Sequence, residues 1–265
     1  MMRRRRPALR TLARLAHRPL RRAALTVLVV AALSGCSSIG PTDNPVARKL
    51  IWFSYLSGDD LRARCGVEDG DRYRVVFNAD YNQHIRTYDI ATDPTDGGSA
   101  LVEARVIEAT NLARLTPLDP LSAARGQTGT LRLTAPQFAS VLARLKERGA
   151  FEPPTTTLRL PSSGIYWLIN GCRGGRWFFA VHPYPASPFR DAAFLEPTRA
   201  LDPQTIPFPA LPAPDTAATA ATGNRHRLEN GVSFDLTADR DGLVGPTAPF
   251  GRWLPEGALA ELLNR

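Results

Sequence analysis

The densest chemistry in this 265-residue chain lies between Gly164 and Tyr184. Tyr166, Trp167, Trp177 and Tyr184 share that stretch with Arg173 and Arg176. Aromatic faces beside guanidinium groups are suited to holding a glycan or a peptide; the competing reading is the core of a two-sided strand. Elsewhere the reactive side chains are scattered. His84, His182 and His226 stand at no metal-ligand spacing from one another, and the first two fall on expected strands, where a histidine is usually a satisfied structural residue. Asp89, Asp93 and Asp96 before Gly97-Gly98 lack the alternating oxygen ligands of a calcium loop and read as turn-forming acids. Asp59-Asp60 ahead of Leu61 read as a helix cap rather than a catalytic carboxylate pair. The chain has no Gly-x-Ser-x-Gly elbow, no His-Glu-x-x-His, no Cys-x-x-Cys and no phosphate-binding glycine loop. The expectation is therefore no catalytic residue, no metal and no cofactor.

The start of the chain carries a different kind of signal. An arginine-loaded leader is followed by an apolar run, Ala23 to Leu33, and then by small residues. That is the layout of a secretory signal, and the run is about half the roughly 20 apolar residues a membrane-spanning helix needs. Arg21-Arg22 reads as part of an ordinary basic leader rather than a twin-arginine export motif. Leu33-Ser34-Gly35-Cys36 resembles the lipobox of bacterial lipoproteins. The resemblance implies diacylglycerol transfer to the Cys36 thiol, cleavage before it and acylation (palmitate) of the new amino terminus. Three acyl chains would anchor firmly, where one binds only marginally. Ser37, in place of an aspartate, implies the inner leaflet of the outer membrane, with the globule facing the periplasm.

Export changes how charge and thiols are read. The whole chain has 33 Lys+Arg against 25 Asp+Glu, a net +8. Nine arginines and no acids precede Cys36, which leaves 24 basic and 25 acidic residues and a net charge of −1 in the mature part. No uniform positive field remains to attract phosphates, so a nucleic-acid partner is excluded. Setting Cys36 aside leaves Cys65 and Cys172, and an even pair in an oxidising compartment is expected to form a disulfide.

These residues need elements to position them. Asn44-Pro45 starts a helix over about 45–56 that ends at Ser57-Gly58, with Trp52, Phe53 and Tyr55 as core or boundary residues. Arg72–Asn78 alternates as a half-buried strand, with Arg72, Arg74, Val76 and Asn78 opposite Tyr73, Val75 and Phe77, and turns at 79–82 into a second strand near Gln83–Ile90. Leu101–Glu108 and Thr130–Leu133 are further strands, and 109–127 reads as a loop with at most a short helix. Thr134 and Gln137 have capping-box spacing, and Phe138, Val141, Leu142 and Leu145 share one helical face over about 134–148. Ile165–Asn170 and Arg176–His182 form a hairpin, 164–184, whose second strand is apolar on both faces, as a central covered strand would be. Asp191–Leu195 and Pro255–Leu263 are short helix candidates, and Val232–Leu236 alternates as a strand.

The run Leu133-Thr134-Ala135-Pro136-Gln137-Phe138 into a helix ending Arg148-Gly149-Ala150-Phe151, flanked by hairpins, resembles small exported bacterial domains of unknown function. The resemblance implies an α+β fold with one helix across a mainly antiparallel sheet. The expected layout is a signal peptide at 1–35, a lipidated tether at 36–43, an α+β domain at 44–202, a Pro/Ala-rich strap or linker at 203–223 and a C-terminal extension at 224–265 on the same domain. The expected function is a non-catalytic structural or interaction role in the cell envelope, with the membrane as partner through the anchor and an envelope protein or glycan as a second partner. The alternative is an envelope glycan or peptide binder, or a hydrolase, using Tyr166, Trp167, Arg173, Arg176 and Trp177. An assembly partner of another envelope protein would instead expose an apolar patch.

Overall fold

The computed structural model describes residues 37–66, 70–110, 116–185, 195–213 and 234–244. Cys36, Pro255–Leu263 and residues 191–194 lie outside the described residues. The chain is α+β. A six-stranded antiparallel sheet is ordered β4-β3-β2-β1-β6-β7, and a three-stranded sheet is ordered β5-β8-β9. The large sheet comprises β1 (Arg72–Ala79), β2 (His84–Asp93), β3 (Ser99–Glu108), β4 (Gln127–Leu133), β6 (Ile165–Arg173) and β7 (Arg176–Tyr184). The small one is β5 (Leu158–Pro161), β8 (Asp235–Asp239) and β9 (Gly242–Val244).

Both faces of the large sheet are covered. On one, Tyr73, Val75, Phe77, Tyr88 and Ile90 meet Phe138, Val141 and Leu145 of α3 (Ala135–Glu147), and Leu201, Phe208 and Leu211 pack there as well. On the other, Val76, Ile85, Tyr166 and Leu168 meet Trp52, Tyr55 and Leu56 of α1 (Pro45–Ser57), together with Leu160, Leu236 and Ala238 of the small sheet. This is why the β1 alternation misled. Its second set of side chains does not face water but sits under α1, so Arg74 and Val76 are both at 0% exposure.

The helices begin and end for legible reasons. Asn44 Oδ1 accepts from the amides of Val46 and Ala47 at 2.9 and 3.1 Å, and Pro45 needs no amide partner at the first helical position. Gly58 closes α1 at φ +74°, and its amide donates to Ser54 and Tyr55 carbonyls. A Cβ here would also stand 2.6 Å from Trp177 Cη2, so only glycine fits between α1 and α2 (Asp59–Arg64). Gln137 Oε1 accepts from the Thr134 amide at 2.9 Å and the Thr134 side chain faces the Gln137 amide, the expected capping box at α3. A fourth helix, α4, spans Leu195–Arg199.

Three placements depart from the sequence reading. β7 is an edge strand rather than a central one; it is apolar on both sides because Phe178 packs against Phe151 and Tyr73 while Phe179 and Val181 lie under the α1 layer. β4 begins at Gln127, three residues before the expected strand. The polar tether after residue 36 is docked rather than free: Ser38 is 4% exposed, and its amide donates to Ser54 Oγ at 2.9 Å.

Candidate functional site

The aromatic hairpin does not converge on a ligand. Neighbours along a strand point to opposite faces, so Tyr166 enters the α1-side core while Trp167 stacks on Phe77 in the α3-side core, centroids 4.7 Å apart. Both are 1% exposed. Trp177 lies beside Gly58, with the Arg62 guanidinium 5.8 Å from its centroid. Arg173 and Arg176 form the exposed hairpin tip, where Arg173 reaches to 6.0 Å from the Phe151 ring. The five residues are packing and rim residues around one hairpin. Tyr166 and Trp167 are core residues, Trp177 is half-buried, and the two arginines are exposed.

Cys65 and Cys172 form a disulfide, Cα atoms 5.3 Å apart, which ties the end of α2 to β6. His84 and His182 do not meet, since β1 and β6 stand between β2 and β7. His84 Nε2 accepts from Arg86 Nε at 3.0 Å, and burial followed by the Arg86 charge pushes its pKa down to about 4. His182 bonds the Ala150 carbonyl at 3.2 Å and is also pushed to about 4, mainly by burial. Asp89, Asp93 and Asp96 serve three separate purposes: Asp89 binds Arg74, Asp93 caps a short 3-10 turn, and Asp96 accepts from Ser99. No metal-binding group of three or more His, Cys, Asp or Glu occurs among the described residues.

Two fully buried arginines bind the layers to the sheet from inside. On the α1 side, Arg74 makes a fork to Asp60 at 2.9 and 2.9 Å, donates to Asp89 at 2.7 Å and to the Tyr55 carbonyl at 2.8 Å. Its guanidinium carbon lies 3.7 Å from the Tyr55 ring centroid, and Tyr55 Oη donates to Asp89. Burial works against the Arg74 charge, but Asp89, Tyr55 and Asp60 hold its pKa above the ordinary value. Asp60, read from sequence as a cap, is instead this arginine's bidentate partner, and Gly58 occupies the cap position. On the other side, Arg86 pairs with Asp202, donates to the carbonyls of Ile206 and Pro207 at 2.6 and 3.0 Å, and lies 3.9 Å from the Phe208 centroid.

A groove remains between α1 and β3. One polar end, about 380 Å³, includes Asp43, Glu103, Arg105 and Thr130. A narrow neck of about 10 Å³ shares Arg105 with that end and adds Arg48, Trp52 and Tyr55. Beyond it, a chamber of about 80 Å³ is lined by Arg48, Lys49, Trp52, Tyr81, Asn82 and Glu108, among others. None of these is a hairpin residue. Comparison with family models, curated proteins and solved structures finds no match for this chain. The groove therefore stands on its own geometry.

That geometry is rich in donors. Arg48 Nη2 donates to the Ala124 carbonyl at 2.7 Å, and Arg105 Nη2 donates to Asp43 Oδ1 at 2.6 Å. Buried Arg48 Nη1, Arg105 Nε and Trp52 Nε1 have no acceptor among the described residues, and Trp52 is 3% exposed. Burial lowers the Arg48 pKa, the Arg105 charge adds to this, and Tyr81 and Asp43 oppose it. Burial raises that of Tyr81, which stays a neutral phenol. Sequence reasoning had one usable hint of the chamber, Arg48 and Trp52 one helical turn apart on α1. Tyr81 reaches it from the β1–β2 turn and Arg105 reaches the neck from β3, placements that no local pattern shows.

Proposed function

We propose that this protein is a lipid-anchored component of the bacterial envelope, facing the periplasm from the inner leaflet of the outer membrane, with a non-catalytic structural or interaction role. The observation that carries the reading is Leu33-Ser34-Gly35-Cys36 behind an arginine-rich, then apolar, leader. The Cys65–Cys172 disulfide supports it, because such bonds persist in oxidising compartments. The buried ionisable clusters support the non-catalytic part: Arg74 with Asp60 and Asp89, and Arg86 with Asp202 and His84, are consumed in holding the layers together.

The docked start of the globule gives the anchor a direction. Ser37 alone separates Cys36 from Ser38, two residue steps with a reach of about 7 Å. Ser38 is held on Ser54, which lies on the same α1 stripe as Val46 and Leu50 by the i, i+4 rule. Val46 and Leu50 are 55% and 38% exposed, and Ile39 is 84% exposed. An acylated residue 36 would bring this apolar stripe against the bilayer.

Metabolic labelling of the full chain with radioactive palmitate, followed by fractionation, tests the reading. The wild-type chain is expected to carry label and sediment with outer membrane, and Cys36→Ala to lose both. Unchanged labelling and membrane recovery in Cys36→Ala would overturn it.

A further inference from the structure

We propose that the α1–β3 chamber is a binding site for a small oxyanion of the phosphate class. Arg48, Lys49, Trp52 and Tyr81 line one space of about 80 Å³, room for a compact tetrahedral anion rather than a sugar or a peptide. Arg48 is already held at one end by the Ala124 carbonyl, so the guanidinium is pre-oriented, and its Nη1 has no acceptor among the described residues. The buried Trp52 indole N–H is a second donor lacking an acceptor among the described residues. A buried donor in that state is destabilising, and an oxyanion would relieve it.

The charges around the site favour an anion. Arg48 and Lys49 outnumber Glu108 among the charged residues lining the chamber. The neck is lined by Arg105, whose carboxylate partner Asp43 is itself 61% exposed at the side chain. Arg48 and Arg105 thus both line one narrow neck, whose lining includes no carboxylate, an arrangement that a bound anion would stabilise.

Two sources present this chemistry: soluble phosphate, and the phosphodiester of a lipid headgroup. The headgroup source rests on the anchored reading above, which sets α1 against a bilayer; the oxyanion site does not. Calorimetry of the full chain, purified in non-ionic detergent, with inorganic phosphate in one arm and glycerophosphoglycerol in the other decides both matters without reference to acylation. Binding is expected in at least one arm, weakened tenfold or more by Arg48→Gln and severalfold by Lys49→Gln, with melting temperature and disulfide content checked alongside. Lys49 is exposed, so that variant reports on binding even if Arg48→Gln fails to fold. Tighter binding of glycerophosphoglycerol assigns the site to a lipid headgroup, and tighter binding of inorganic phosphate assigns it to free phosphate. No binding in either arm, or wild-type affinity in Lys49→Gln together with any folded Arg48→Gln, would overturn the proposal.

Discussion

Arg74 illustrates how a charge becomes part of a core. An arginine at 0% exposure is tolerable only when its donors are spent, and here Asp60, Asp89 and the Tyr55 carbonyl take them while the Tyr55 ring covers its face. Arg74→Met would leave two carboxylates without a cationic partner and is expected to cost about 3–5 kcal/mol in urea unfolding. Arg74→Lys keeps the charge but not the planar fork, so it should recover only part of that loss. Wild-type stability in Arg74→Lys would mean that the fork to Asp60 contributes nothing. The same logic explains Tyr55: burial, then Asp89, raises its pKa, so it remains a proton donor to Asp89.

At the scale of elements, the segment after α4 is the clearest case of a loop-like sequence acting as structure. Residues 203–213 hold prolines that rule out helix and central strand, yet the chain is pinned to the sheet through carbonyls: Ile206 and Pro207 accept from Arg86, and Pro212 accepts from Tyr184 Oη at 2.7 Å. Residues 214–223 of the expected strap lie outside the described residues. His84 must be neutral to accept from Arg86 Nε, with Arg86 and Asp202 the charged groups beside it. Its folded pKa, about 4, is below the 6.5 of an unfolded histidine. The unfolded chain therefore binds the extra proton between those values, and stability present above pH 6.5 is lost as pH falls toward 4. The expected loss attributable to His84 between pH 7 and 5 is about 2 kcal/mol. His182, at about 4 as well, adds a similar amount. In His84→Gln the fall in urea midpoint over that range should be roughly halved; an unchanged slope would count against a neutral His84.

On the whole-molecule scale, the large sheet is a plate with a helical layer on each side, and its long-range closure is covalent. The disulfide spans 107 residues and joins the α1–α2 layer to β6. By chain entropy a loop of that length stabilises by roughly 4–5 kcal/mol before any native strain is subtracted. The double variant Cys65→Ser/Cys172→Ser is expected to lose about 2–5 kcal/mol, read as a lower urea midpoint, and reduction of the wild-type protein should move its midpoint to match. Equal midpoints for oxidised and reduced protein would show that the layers need no covalent closure. The edge strand β7 carries Pro183, which lacks the amide that a further strand would need at that point of the ladder.

Local pattern alone specified α1 and α3 with their caps, the β1–β2 and β6–β7 hairpins and the pairing of Cys65 with Cys172, because caps, period and thiol parity are short-range or countable properties, while the α+β class with a mainly antiparallel sheet followed from the resemblance to small exported domains. The proposed anchoring depends on the arginine-rich leader, the apolar run and the resemblance of Leu33-Ser34-Gly35-Cys36 to a lipobox. What the sequence could not specify was which face of each strand is covered. A strand with arginine at alternate positions looks half-solvated until a second layer is known to lie over it, so Arg74 and Arg86 were invisible as core, and β7 looked central although it is an edge. The β5–β8–β9 sheet joins segments more than 70 residues apart, and the Arg48–Trp52–Tyr81 chamber gathers donors from α1 and the β1–β2 turn beside β3. Tertiary structure alone decides such gatherings, since burial and mutual approach depend on long-range register and layer packing, which leave no periodic trace in any one segment.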